Sequence, residues 1–428
     1  LTRGGADGLA GLAEAEWTDL LAECNRHWMT PFVYRALAVH RTRLAVPEAA
    51  WRGFKKMYLL SRARTRRADL LLNPVLLAFN AAGIPVIALK GMHLSTQVYG
   101  DPASRPMIDA DLLVRREHLT AAAAIVESFG FRQNLYKSPP RPRRPRRMRA
   151  RDDRHHVGTF WYPKGPPIEL HYDLEARDAL PGIDLEGIWA RARAARIGGA
   201  DVLVLSPEDT LLHLAIHAAF HHLFAAKLLT LCDVAVALDH WRDRIDWNVF
   251  WWRARAWGAE RSALITLALT QTWLRYPLPE AAAAPLAHHL TEMEGLTQIA
   301  ARQMRAKAAA LALRRLSPKP VVANPRPEVA VFVRLRQLPT ARSRAKLIVG
   351  RVFVPRRELS ASFGLSPMPP WLPLLYPVRL GMLVGRYAPG VIGLAVQRWL
   401  GRGEDPEVAE LLEANRGRRT LMAWLREA

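Results

Sequence analysis

The chain reads as an α/β (α+β) fold, a small mixed sheet flanked by N- and C-terminal helical regions. Three observations carry this reading. Apolar residues recur at helical spacing up to about Gly83, short β-type runs follow one another from Ile84 to Leu205, and helical spacing returns after Ser206. These changes divide the 428 residues into an N-terminal helical region (1–82), a sheet core (83–205), a helical domain (206–316) and a basic, apolar C-terminal region (317–428). Half of the residues are apolar and the chain is long enough to bury a sizeable core, which excludes a disordered polypeptide.

Taken in order, Trp17, Leu20, Leu21 and Cys24 fall on one stripe of a first helix, and a longer helical pattern begins at Glu48. Pro74 is expected to start or kink the last helix of this region. Gly83 should terminate it, since glycine adopts the left-handed conformation that ends helices. Ile84 to Leu89 is a short apolar run of strand type, closed by Lys90-Gly91. In the next strand Ile108, Ala110 and Leu112 should face the core while Asp109 and Asp111 share the other face. Glu117 to Phe129, with Gly130 behind it, reads as a helix packed on the sheet. Phe131 to Tyr136, His155 to Tyr162 and Ile168 to Asp173 supply further strands, and Val202 to Leu205 the last. Ser206, Pro207 and Asp209 then provide an N-cap, a first-turn proline and an N3 acid for the helical region running to about Leu316.

The net charge of +22 favours anionic partners such as nucleotides, nucleic acid or acidic membrane surfaces without choosing among them. Much of it lies in a Pro-rich loop, 137–154, containing Lys137, Arg141, Arg143, Arg144, Arg146, Arg147, Arg149, Arg151 and Arg154. That loop is either a tolerated insertion or an arm that contacts a polyanion. With only Cys24 and Cys232 and no CxxC or Cys/His zinc spacing, a disulfide framework is not expected, and a cytoplasmic location fits. The N-terminus lacks a basic-then-apolar signal. Trp371 to Leu400 is the most apolar stretch, but Arg379, Arg386 and Arg398 interrupt it, so it reads as an amphipathic helix or an interfacial membrane contact rather than a transmembrane helix.

The chemistry concentrates in IPVIALKGMHLSTQVYGDPASRPMIDADLLV and in PIELHYDL. Asp109 and Asp111 present two carboxylates on one strand face, and Glu169, on a neighbouring strand, offers a third. Three such acids can hold Mg²⁺, with two ions expected. A helix starting just after Gly91 would aim free N–H groups at a triphosphate, with Lys90 as a point charge. Arg105 is a further triphosphate ligand or a surface turn arginine. Together these residues read as a metal-dependent nucleotidyltransferase with a nucleoside triphosphate as substrate.

The runs IPVIALKG and IDADLLV, with Tyr99 and Arg105 between them, then IELHYDL, LSPEDTLLHLAIHAAFHH and LCDVAVAL, resemble the uncharacterised bacterial nucleotidyltransferase-like family, a branch of the DNA polymerase β-like superfamily. The resemblance covers roughly Asn73 to Leu238, with weaker likeness in the C-terminal third. It implies a small mixed-sheet nucleotidyltransferase core, Mg²⁺-dependent attack on a nucleoside triphosphate, and Asp109, Asp111 and Glu169 as metal ligands. Lys90-Gly91 stands where the broader superfamily has a Gly-Ser pair.

On this reading Asp109 and Asp111 hold both ions, Glu169 completes the second site, and His171, on the same strand face as Glu169, orients a carboxylate or the acceptor. His213, His217 and His221 lie on one helical face, but the glutamate of a zincin motif is absent, so packing or hydrogen bonding is expected of them. Asp233 reads as a partnered structural acid, bonded to this histidine row. The acceptor hydroxyl belongs to a small molecule, a peptide or protein side chain, or an RNA 3′ end. The alternative is a catalytically degenerate nucleotidyltransferase fold that binds nucleotide or nucleic acid.

Overall fold

The computed structural model describes residues 9–133, 155–163, 165–177, 179–225, 227–289, 293–302, 304, 327–354, 356–363, 365, 369–401 and 403–426. The basic loop 137–154 lies outside the described residues. The described chain forms two compact units, one comprising residues up to 304 together with 421–426, the other residues 327–420.

In the first unit, α1 (Glu14–Arg26), α2 (Thr30–His40) and the start of α3 (Glu48–Ala81) bury Trp17, Leu37 and Phe54 in a cluster of their own. Pro74 neither starts nor ends a helix: α3 runs through it for 34 residues. Gly83 does terminate α3, with φ +65°. The second half of α3 places Leu72, Val75, Leu76 and Phe79 under the sheet.

Seven strands follow: β1 (Val86–Ala88), β2 (Ala110–Val114), β3 (Arg132–Gln133), β4 (His156–Trp161), β5 (Ile168–His171), β6 (Arg193–Ile197) and β7 (Ala200–Val204). Their order is β3-β4-β5-β2-β1-β7-β6. β2 is parallel to β5 and β1 to β7, while the other pairs are antiparallel, so the sheet is mixed as expected. Two details differ from the sequence expectation. Ile108 is 50% exposed because β2 begins only at Ala110. β6, unforeseen, is an edge strand with mostly exposed residues that pairs back on β7 through Gly198-Gly199.

Both faces of the sheet are covered, as a mixed sheet of apolar strands requires. Ala110, Leu112 and Val114 pack with α3 and with α5 (Leu119–Ser128). Ile87, Leu89 and Leu113 join the larger core, built with α6 (Leu185–Arg191), α7 (Pro207–Ile216), α8 (Leu229–Trp241), α9 (Trp247–Ala256) and α10 (Glu260–Leu274). Ser206 caps α7 by accepting from Asp209 N, as its position suggests, while the Asp209 carboxylate accepts from Arg191 and Arg253. Cys24 and Cys232 are both free and buried.

The second unit is helical in its described residues. Val329, Val333, Leu394 and Val408 form one small core, and Val354, Leu359 and Leu372 another. Its longest helix, Leu375–Trp399, leaves Val378, Met382, Ile392 and Trp399 exposed. No helix among the described residues is long and apolar enough to cross a membrane.

Candidate active site

β2 lies at the middle of the sheet, and its parallel register with β5 sets Asp111 beside Glu169 and Leu113 beside His171. Since alternate strand residues share a face, Asp111, Glu169 and His171 all point to the side of the sheet that α7 covers. A slip of one residue would carry Glu169 to the opposite face. On the other flank of β2, Leu89 N donates to Asp111 O at 3.0 Å, which brings the end of β1 and the following Lys90 against the same acid.

Asp111 is the buried hub, 1% exposed. Its Oδ1 accepts from Lys90 Nζ at 3.0 Å and lies 2.9 Å from His171 Nε2. Glu169 Oε1 accepts from the Thr159 hydroxyl at 2.8 Å, and its Oε2 lies 3.7 Å from the same His171 nitrogen. Burial opposes ionisation of Asp111, but Lys90 and His171 outweigh it and hold the carboxyl far below the usual range. The nearby His171 likewise keeps Glu169 at about 2, against burial, with the Thr159 hydroxyl helping. Asp109, half-buried just before β2, is pushed up to about 6, first by burial and then by the negative charge of Asp111. For His171, burial is outweighed by the hydrogen bond to Asp111 and the nearby Glu169 carboxylate, and its pKa rises.

The donor set fits a divalent cation. One ligand atom each from Asp111, Glu169 and His171 lie within 4.8 Å of one another. Asp109 faces two carboxylates that resist its ionisation, a conflict that added positive charge removes. Hard carboxylate oxygens suit Mg²⁺.

The Lys90-Gly91 turn is built differently from expectation. The helix starts at Lys90, not after Gly91, as a four-residue turn (α4, Lys90–His93) that widens into Leu94–Val98. Lys90 itself carries the positive φ, +39°. Packing at 91 is close, because a Cβ there would meet the Arg105 guanidinium and that side chain would have to shift. Arg105, in turn, is neither a turn arginine nor open to solvent. It forks onto Asp233 with Nε–Oδ1 3.1 Å and Nη2–Oδ2 2.7 Å, and the Tyr99 hydroxyl donates to Asp233 at 2.8 Å. Asp233 is thus a partnered acid, as expected, but its partners are Arg105 and Tyr99 rather than the histidine row.

The histidine row keeps its rings in sequence, with centroids 6.4 Å apart for His213–His217 and 4.8 Å for His217–His221. His213 is buried, and burial lowers the pKa of His213 and His217 well below the ordinary value. α7 ends at Ile216, and His221, on the wide turn His217–His221, faces Glu175. Sequence reasoning missed Thr159, whose place beside Glu169 follows from the β4–β5 register.

His93, on the Lys90 turn, is 2% exposed, with Nδ1 unpartnered and its ring 5.8 Å from that of Trp241. Burial, then the neighbouring His240, lower its pKa to about 4. From the ordinary 6.5 down to about 4 the unfolded chain binds a proton that the folded protein refuses, so stability falls across that window and is fully present above it. His93→Leu should remove up to about 3 kcal/mol of this acid sensitivity, the equivalent of the shift. Urea unfolding at pH 7 and pH 4.5 measures it, and an unchanged pH dependence would contradict the assignment.

A family model described as "Uncharacterised nucleotidyltransferase" matches residues 13–275. The chain belongs to this family. The matched residues of this nucleotidyltransferase run from α1 through α10 and include all three acids, Lys90 and the Arg105–Asp233 fork, while the C-terminal third lies outside them. No curated protein and no solved structure matches the chain. Family membership supports nucleotidyl transfer as the general reaction.

Proposed function

We propose that the protein transfers a nucleoside monophosphate from a nucleoside triphosphate to an acceptor hydroxyl in a Mg²⁺-dependent reaction. The observation that carries this is the meeting of Asp111 and Glu169 on adjacent parallel strands, with Asp109 and Lys90 beside them, in a chain of nucleotidyltransferase family. Asp109, Asp111 and Glu169 would hold two Mg²⁺ ions, which when bound supply charge neutralisation at the phosphates and a lower pKa for the acceptor hydroxyl. His171 holds the Asp111 carboxylate in place at 2.9 Å, and Thr159 fixes Glu169 at 2.8 Å, so both acids are set before substrate arrives. Glu169, with 23% of its side chain exposed against 1% for Asp111, is the strand acid that faces an incoming acceptor and receives its proton. The acceptor oxygen bonds to the α-phosphorus as the α–β bridging bond breaks, and pyrophosphate leaves. Dependence on the triphosphate pool makes the cytoplasm its place of action. The acceptor is a small molecule, a peptide or protein side chain, or an RNA 3′ end.

Lys90 is the residue that separates binding from chemistry. It lies against Asp111, and its ammonium is a positive charge available to a triphosphate. Lys90→Ala should weaken nucleoside triphosphate binding by ~1–3 kcal/mol, whereas Glu169→Gln should mainly lower turnover. Titration with a fluorescent triphosphate, alongside Mg²⁺-dependent pyrophosphate release for each nucleotide, tests both expectations. Equal affinity in Lys90→Ala and wild type would return Lys90 to a turn role. Triphosphate binding without pyrophosphate release under any acceptor would favour the non-catalytic alternative.

A further inference from the structure

We propose that His155, Glu175 and His221 form a second divalent-metal site, suited to zinc, separate from the carboxylate cluster. The three residues come from different segments: His155 immediately precedes β4, Glu175 follows β5, and His221 ends the wide turn after α7. One ligand atom from each lies within 4.8 Å of the other two. Glu175 is 6% exposed, and the side chains of His155 and His221 are 15% and 18% exposed.

The decisive feature is how their polar atoms meet. Glu175 Oε2 and His221 Nε2 are 2.8 Å apart, yet they are not aligned as a hydrogen bond, and neither has a hydrogen-bond partner among the described residues. Leaving a buried carboxylate oxygen and a ring nitrogen so placed is costly unless something between them accepts both lone pairs. His155 Nδ1 lies 3.7 Å from the other carboxylate oxygen, Oε1, which also accepts from Ala176 N at 2.8 Å. Donors on one tetrahedral zinc, each about 2.0–2.2 Å from the ion, lie roughly 3.3 Å apart, a spacing compatible with three ligand atoms that all lie within 4.8 Å of one another. Two imidazoles and one carboxylate favour zinc or another transition metal over Mg²⁺, and three protein ligands leave a fourth position open.

The site adjoins the carboxylate cluster without sharing a ligand. The His155 ring centroid is 5.3 Å from that of His171, and His155 O accepts from Tyr172 N at 2.9 Å and Asp173 N at 3.2 Å. A metal here ties the start of β4 and the end of β5 to the turn after α7. It thereby frames the strand that carries Glu169 and His171. This inference does not depend on the proposed transfer reaction.

The test is zinc binding to the full chain after chelator stripping, measured by competition with a chromophoric chelator, with Co²⁺ absorption as an independent reading on wild type. One zinc per chain is expected to resist excess Mg²⁺, and Co²⁺ should give the intense visible bands of a four-coordinate site. Glu175→Gln and His221→Ala should each weaken zinc by about 100-fold or more, while Glu169→Gln leaves it in place. The proposal is overturned if stripped wild type takes up no zinc and shows no such Co²⁺ bands. Equal affinity in Glu175→Gln, His221→Ala and wild type would also overturn it, as would zinc lost in Glu169→Gln but kept in Glu175→Gln. Because the Co²⁺ reading uses wild type, a variant that fails to fold does not remove the test.

Discussion

Asp109→Asn is expected to lower nucleotidyl transfer by on the order of 10³-fold while the fold persists, because it removes one of the charges proposed to hold the cations but leaves the buried hub intact. Asp109 is only half-buried, just outside β2, and its burial opposes its own ionisation, so loss of its charge does not weaken the folded protein. Asp111→Asn should be as damaging to activity but not as clean. It takes the negative charge from Lys90 and His171, both of which bind Asp111 Oδ1 in a nearly dry setting, and so should also cost stability. The Asp109→Asn, Asp111→Asn double variant should be no slower than the worse single variant, since residues that act as a unit are non-additive. Turnover assays paired with urea denaturation separate the two effects. Near-normal turnover in both single variants would remove the metal site from the account.

The largest structural effect is expected at Asp233→Ala. The change strips the fork from Arg105, a guanidinium whose side chain is only 12% exposed, and leaves the Tyr99 hydroxyl without its acceptor. Breaking one side of such a buried pair typically costs about 3–5 kcal/mol. Arg105 also packs against Gly91, so the Lys90 turn should loosen and triphosphate binding weaken with it. Replacing both partners, Arg105→Met with Asp233→Leu, should recover much of the stability, because no unpaired charge then remains. A loss under about 1 kcal/mol in Asp233→Ala would show that the fork is not a buried pair of this kind.

What could be read from the sequence was what has a short period. Asp111, with the apolar pattern of Ala110 and Leu112 opposite it, is visible without a structure, whereas Asp109, expected on the same strand face, lies just before β2. The Ser206-Pro207 start of α7 is visible too. Glu169 could be placed on a strand, but its position beside Asp111 depends on β2 and β5 being parallel neighbours, a fact of topology with no local signal. The same limit hid the fork, whose partners are 128 residues apart, and the grouping of His155 and Glu175 with His221. β6 escaped because Arg-Ala-Ala-Arg-Ile holds one β-branched residue and no aromatic, too few to mark a strand, as befits an exposed edge. Pro74 did not begin a new helix because the packing of α3 on two clusters outweighs one missing backbone donor. At Lys90-Gly91 the helix expected to start after Gly91 starts at Lys90, which itself carries the positive φ.

The central claim is that the α-phosphorus is attacked and pyrophosphate leaves. Incubating the protein with Mg²⁺ and a panel of acceptors, once with nucleoside triphosphates labelled at the α-phosphate and once at the γ-phosphate, tests it most directly. The account predicts that α-label becomes attached to an acceptor, that γ-label appears only in pyrophosphate, and that both signals vanish in Asp109→Asn. Transfer of γ-label to the acceptor, or undiminished α-label transfer in Asp109→Asn, would contradict it.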